Sequence, residues 1–259
     1  MKIVGFLHST FIDYPGKIAT EIFTAGCNFS CPTCHSRKIV KSMLQEINED
    51  YVFSYIDSRK EWIDGIVVSG GEPTLQKGLE DFLEKCKKKG ISVKLDTNGS
   101  NYKVLENLLQ KKIVDYVAMD IKGPPSLYSV LTGKKGNAED VEKGMLVVMQ
   151  FPDYEFRTTI VPLQEKEETK KEKIKLEKLP TRWPTEEEIE EMARWVIKVT
   201  GKNNHKYFLQ RFVSREEDEM LDERFCKYKL PKEMWETPYE VVNNVYDIIK
   251  KYLPNVATR

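Results

Sequence analysis

Short apolar runs alternate with amphipathic stretches along most of this chain. Runs at 3–7, 19–24, 65–69, 91–95, 116–119, 156–161 and 207–212 have the length and composition of strands. The stretches between them carry helical periodicity. In 76–89, Leu79, Phe82, Leu83 and Cys86 recur at i, i+3, i+4 and i+7, one buried stripe. Helices are predicted likewise at 101–112 and 138–149, the second opening on Glu139 and Asp140, where a helix dipole favours negative charge. At 185–199, Thr185 and Glu188 have capping-box spacing, and a last helix is predicted at 237–252 with Pro238 in its first turn.

Several strands, IVVSG and YVAMD among them, are apolar almost throughout, which argues for burial on both faces and a parallel sheet. Strand and helix in alternation place the chain in the α/β class, with helices wrapping that sheet. Asp13-Tyr14-Pro15-Gly16 predicts a turn between the first two strands. There is no internal repeat at solenoid or propeller period.

Polar, glycine-rich clusters recur where the strands end. They are Thr24-Ala25-Gly26-Cys27, Ser69-Gly70-Gly71-Glu72-Pro73, Asp96-Thr97-Asn98-Gly99 and Asp120-Ile121-Lys122, with Arg157 on the following strand. In α/β barrels and open parallel sheets the carboxyl edge is where ligands bind. One polar strand end is a turn; four converging on one edge predict a site.

Composition adds limits rather than a function. The chain has 259 residues, 40% hydrophobic, enough for one full core, and we take 1–259 as a single domain. Its 41 Lys+Arg balance 41 Asp+Glu, so bulk charge nominates neither nucleic acid nor an anionic membrane. No apolar run reaches membrane-spanning length and the start has no signal-peptide pattern, so the cytoplasm is expected. Charge is clumped at 164–184, a Glu/Lys-rich insertion or linker expected to form a solvated helix or loop. Five cysteines give no disulfide framework: three crowd into eight residues, and Cys86 and Cys226 are read as packed structural residues.

The crowded cysteines, Cys27-x3-Cys31-x2-Cys34, follow a strand. A structural zinc site wants a fourth ligand, and adjacent His35 is poorly placed for it. A redox Cys-x2-Cys pair would leave Cys27 without a role. An iron–sulfur cluster wants thiolates, usually four, so three would leave one iron open.

In the form GCNFSCPTCH this segment resembles the radical S-adenosylmethionine (SAM) superfamily. Gly70-Gly71-Glu72-Pro73 resembles that superfamily's GGEP motif, in which backbone and glutamate receive the methionine ammonium. Paired glycines permit close backbone approach, and a carboxylate suits an ammonium. FIDYPGKIATEIFTAGCNFSCPTCH is similar to the glycyl-radical-enzyme activases, those of pyruvate formate-lyase and of anaerobic ribonucleotide reductase, and most of all the second type. The resemblance implies a partial (β/α)6 TIM-like barrel of parallel strands, to which this sequence adds the charged insertion and a C-terminal helix. It implies a [4Fe–4S] cluster on Cys27, Cys31 and Cys34, and S-adenosyl-L-methionine bound by Ser69, Gly70, Gly71, Glu72, Pro73, Asp96, Thr97, Asp120, Lys122 and Arg157. A monovalent cation near Asp96 and Asp120 is implied too. The expected partners are a glycyl radical enzyme and a ferredoxin or flavodoxin electron donor.

Three features depart from the family pattern, one of them the charged insertion after Val161. Thr33 stands where an aromatic residue often precedes the third cysteine, so adenine must pack elsewhere. The last core strand offers Gln210 and Arg211 where some activases have a histidine. Two other readings compete with an activase: a radical enzyme acting on a small molecule, tRNA or peptide, and a zinc-stabilised or redox-regulated binding module.

Overall fold

A computed structural model describes residues 1–133, 135–164, 181–213, 220–221 and 236–259. The strands that position the site are β2 (Ala19–Thr24), β3 (Gly65–Gly70), β4 (Ser92–Thr97), β5 (Tyr116–Asp120) and β6 (Asp153–Ile160). Each pairs in parallel with the next, and β6 pairs with β9 (Tyr207–Arg211). Strands follow one another across the sheet in chain order, the arrangement that curls into a partial barrel.

The edges of the sheet depart from expectation. The first strand, β1 (Ile3–Thr10), runs antiparallel to β2, not parallel. The connection explains it: a short turn, closed by Lys17 N donating to Tyr14 O at 3.1 Å, leaves no room for a crossover. At the other edge the three-residue β10 (Val256–Thr258) pairs with β9 and was not predicted.

Between β2 and β3 come the four-residue α1 (Arg37–Val40) and α2 (Glu49–Ser58), neither predicted. Then α3 (Leu79–Lys88), α4 (Tyr102–Lys111) and α6 (Ala138–Val148), preceded by the single-turn α5 (Tyr128–Leu131), fill the crossovers up to β6. After β6 come α7 (Glu186–Thr200) and α8 (Tyr239–Lys250). The predicted stripe of α3 is fully buried. Thr185 and Glu188 cap α7 reciprocally, and Gly201 ends it in the left-handed region.

A short antiparallel pair, β7 (Leu163–Gln164) with β8 (Thr181–Arg182), brackets the charged insertion, so it leaves and re-enters at one place. The solvated helix or loop expected there lies at 165–180, outside the described residues, as does Cys226.

Alternation along the strands makes two cores. Outward residues such as Ile22, Val68, Leu95, Met119 and Phe156 pack under the helices. Inward, a small apolar floor of Tyr14, Ala19, Val67, Tyr116 and Ala118 closes one end. Above it the inner face is charged, with Glu21 on β2, Lys94 and Asp96 on β4, Asp120 on β5 and Arg157 on β6, so β4 is not apolar on both faces.

Candidate active site

The loop after β2 carries all three clustered cysteines to one cavity of about 240 Å³ at the carboxyl edge of the sheet. It is held from several sides. Gly26 N donates to Ile39 O at 2.8 Å, Ser30 N to Thr132 O at 3.0 Å, and Cys34 N to Cys31 O at 3.0 Å. Phe29 is buried edge-on against Tyr128, with ring centroids 6.4 Å apart. Cys27, Cys31 and Cys34 are all half-buried.

Burial pushes the Cys27 thiol up to about 12, while Phe29 N, donating to its sulfur, works against the rise. Cys31 is raised by burial also, with Lys122 opposing. Thiols in such surroundings ionise when a bound cation supplies the missing charge. Among the described residues no three His, Cys, Asp or Glu side chains converge as a single-ion site. Three soft sulfur donors spread round a cavity fit a polynuclear iron–sulfur cluster.

The Gly-Gly turn after β3 serves first to clamp this loop. A β-carbon on Gly70, at φ +108°, would stand 2.4 Å from Thr24 N, and one on Gly71 only 1.8 Å from Gly26 O. Across that gap Gly71 N donates to Thr24 O at 2.9 Å and Glu72 N to Gly26 O at 2.8 Å. Ser69, Gly70 and Gly71 line the cavity; Glu72 and Pro73 do not.

The Glu72 carboxylate, expected to meet a ligand ammonium, is engaged by protein donors in this structure. Glu72 is 0% exposed. Its Oε1 accepts from Thr74 N at 3.1 Å, Thr74 Oγ1 at 2.5 Å and Thr97 Oγ1 at 2.8 Å, and Oε2 accepts from Asn98 N at 2.7 Å. Burial raises its carboxyl above the ordinary range, and those donors oppose the rise. Pro73 is buried and opens a single 3-10 turn, which Glu72 caps.

The ends of β4, β5 and β6 supply Asp96, Thr97, Asn98, Asp120, Lys122 and Arg157, all lining the cavity. Arg157 bridges the two aspartates, Nη1 donating to Asp96 Oδ2 and Nε to Asp120 Oδ1, each at 3.0 Å. Lys122 donates to Asp120 Oδ2 at 2.9 Å, and Lys94 pairs with Asp96 Oδ1. Although burial opposes it, Lys122 and Arg157 hold Asp120 well below the usual carboxylate range. The Arg157 guanidinium lies between Asp96 and Asp120, near which a monovalent cation was expected, and pairs with both.

Several lining residues escaped sequence reasoning: Phe29, His35, Val40, Leu131, Thr159, Val161 and Phe212. The His35 and Phe212 rings lie 4.7 Å apart at 32°, an aromatic wall beside Cys34. His35 lies in a loop, and Phe212, read as the end of a strand, falls one residue beyond β9, so neither pattern pointed to the cavity. Asn98 links the motifs, its Nδ2 donating to Asn28 Oδ1 at 2.9 Å.

The sequence profile described as the Radical SAM superfamily matches residues 22–171. A Methanocaldococcus jannaschii protein, provisionally named a glycyl-radical enzyme activating enzyme, is 32% identical over 99% of this chain and 95% of its own. The pyruvate formate-lyase-activating enzyme of Clostridium pasteurianum is 33% identical over 51% of this chain and 59% of its own. Among solved structures, Streptococcus suis SuiB bound to S-adenosylmethionine aligns with a TM-score of 0.57 at 14% identity, over 91% of this chain and 48% of its own. Escherichia coli coproporphyrinogen III oxidase, titled a radical SAM enzyme, aligns with a TM-score of 0.54 at 11% identity, over 94% and 54%. This chain spans about half the length of each of these two structures, and at such identities the likeness is one of fold.

Proposed function

This chain belongs to the radical SAM superfamily, and from that premise we propose that it activates a partner enzyme by installing a radical on one of the partner's backbone glycines. It is a radical SAM enzyme, and the superfamily's cofactors are a [4Fe–4S] cluster and S-adenosyl-L-methionine. When bound, the cluster supplies the electron that cleaves S-adenosylmethionine to methionine and a 5′-deoxyadenosyl radical, which removes a hydrogen atom from the glycine.

One observation carries the reading. The three cysteines, the glycine pair and the Asp96–Arg157–Asp120–Lys122 array come from five different strand ends and border one cavity. In this reading Cys27, Cys31 and Cys34 hold the cluster. Backbone at Ser69, Gly70 and Gly71, with the Thr97–Asn98 turn, receives the methionine end. Asp96, Asp120, Lys122 and Arg157 orient its carboxylate and the ribose, and His35 with Phe212 supplies the adenine wall that Thr33 does not. Glu72 and Pro73 shape the site from beneath.

The activase reading is supported by the match to the Methanocaldococcus protein over nearly both full lengths. The cysteine count supports it as well. Outside the loop only Cys86, buried in α3, and Cys226 remain, too few for an auxiliary cluster. We take residues 1–259 as one radical SAM domain, with a ferredoxin or flavodoxin as electron donor in the cytoplasm. No helix among the described residues is long and apolar enough to cross a membrane.

The test is electron paramagnetic resonance on the anaerobic, reduced protein mixed with S-adenosylmethionine and the glycyl radical enzyme of its own host. A glycyl radical doublet is expected. Active cofactor cleavage with no doublet would transfer the proposal to a small-molecule, tRNA or peptide substrate.

A further inference from the structure

Two charged-type residues lie inside the barrel beneath the cavity without lining it. Lys94 projects inward from β4 and is 1% exposed. Its ammonium takes Oδ1 of Asp96, while Arg157 takes Oδ2 from the opposite side. Asp96 thus has both oxygens pinned by cations while its carboxylate still borders the cavity. Glu21 shares a row with Lys94, since Glu21 pairs with Val67 and Val67 with Lys94 across β2, β3 and β4. It is 7% exposed, and among the described residues its carboxyl group makes no hydrogen bond or ion pair.

A carboxyl so placed is costly to ionise. The charged groups that face it are Asp13 from the β1–β2 turn, Lys94 and Asp96 from β4, and Arg157 from β6. Burial, then Asp13 and Asp96, push Glu21 up to about 8, against Lys94 and Arg157. While Glu21 keeps its proton, the single ammonium of Lys94 has one carboxylate to serve. Once Glu21 ionises, two carboxylates in one row compete for it.

We propose that Lys94 and Glu21 are positioning residues for Asp96: Lys94 holds the carboxylate in the orientation that meets the bound cofactor, and Glu21, in the same row without a partner of its own among the described residues, governs how fully that ammonium is committed to Asp96. This rests on the reading that the cavity takes S-adenosylmethionine. Neither residue belongs to the motifs at the strand ends, and both act through Asp96.

The experiment is equilibrium dialysis of S-adenosylmethionine against anaerobically reconstituted protein between about pH 6 and about pH 9, with KM and kcat for cofactor cleavage alongside. Lys94→Met is expected to weaken binding about tenfold, the scale of one lost charge-assisted contact, and to raise KM more than it lowers kcat. For Glu21→Gln the readout is the ratio of its affinity to that of the native protein, in which the ligand's own titration cancels. That ratio should rise with pH through about 8. A flat ratio overturns the proposal even if Lys94→Met fails to fold, as does Lys94→Met binding with native affinity. If the native protein itself binds no S-adenosylmethionine, the assignment of the cavity falls and takes this proposal with it.

Discussion

A β-carbon at position 71 would stand 1.8 Å from the carbonyl oxygen of Gly26, one residue before Cys27, the first of the three cysteines in the loop. The Gly-Gly turn and the base of the cysteine loop are therefore one packed unit. Gly71→Ala must part them, breaking the bonds from Gly71 N to Thr24 O and from Glu72 N to Gly26 O. We expect the variant to lose most of its iron. Iron and sulfide analysis after anaerobic reconstitution decides it, and native iron content would refute the clamp.

Each cysteine of the loop is expected to be indispensable. Cys31→Ala should lower S-adenosylmethionine cleavage to background, because two thiolates cannot hold the cluster. Cleavage at the native rate would remove the cluster assignment altogether.

Arg157 neutralises two carboxylates at once. Arg157→Met removes one charge-assisted bond from each of two half-buried carboxylates that keep Lys94 and Lys122 as partners, a cost of about 1–3 kcal/mol. Urea unfolding should show a loss on that scale, and Arg157→Lys, which cannot span both partners at once, an intermediate one. A loss below about 1 kcal/mol would mean that the bridge behaves like a surface pair.

Glu21 also sets a pH dependence of stability. Its folded carboxyl lies near 8 against an ordinary value of 4.5, so the folded state keeps a proton that the unfolded chain releases. Its contribution is full below about 4.5, falls as pH rises to about 8, and is flat beyond. Glu21→Gln should flatten this decline. Urea midpoints at several pH values compare the two slopes, and parallel curves would show that Glu21 does not titrate late.

If Phe212 and His35 wall the adenine, Phe212→Ala should weaken S-adenosylmethionine binding. Base–aromatic stacking is worth about 1–3 kcal/mol, or at least several-fold in affinity. Isothermal titration with the anaerobic protein measures it, and unchanged affinity would move the adenine elsewhere.

Much of this was legible in the amino-acid sequence because periodicity and strand-end chemistry are local. The central strands, the stripe of α3 and the cap of α7 lie where their patterns place them. The strand β1 misled because periodicity carries no direction, although the short Asp13–Gly16 connection pointed to a hairpin. The helix α2 escaped notice because it buries only Val52 and Ile56. Lys94 was hidden in plain view: Ser92, Lys94 and Asp96 alternate with Val93 and Leu95, an inward polar row read as part of an apolar strand. Glu72 is a different case. Its motif advertises a carboxylate, and only the tertiary arrival of Thr97 and Asn98 shows that the carboxylate is already taken.

That saturated carboxylate has a further consequence. By gathering donors from Thr74, Thr97 and Asn98, Glu72 ties the turn after β3 to the end of β4 during folding. The conformational entropy of ordering those segments is lost when the chain folds, not when a ligand arrives, so less binding free energy is consumed in building the pocket.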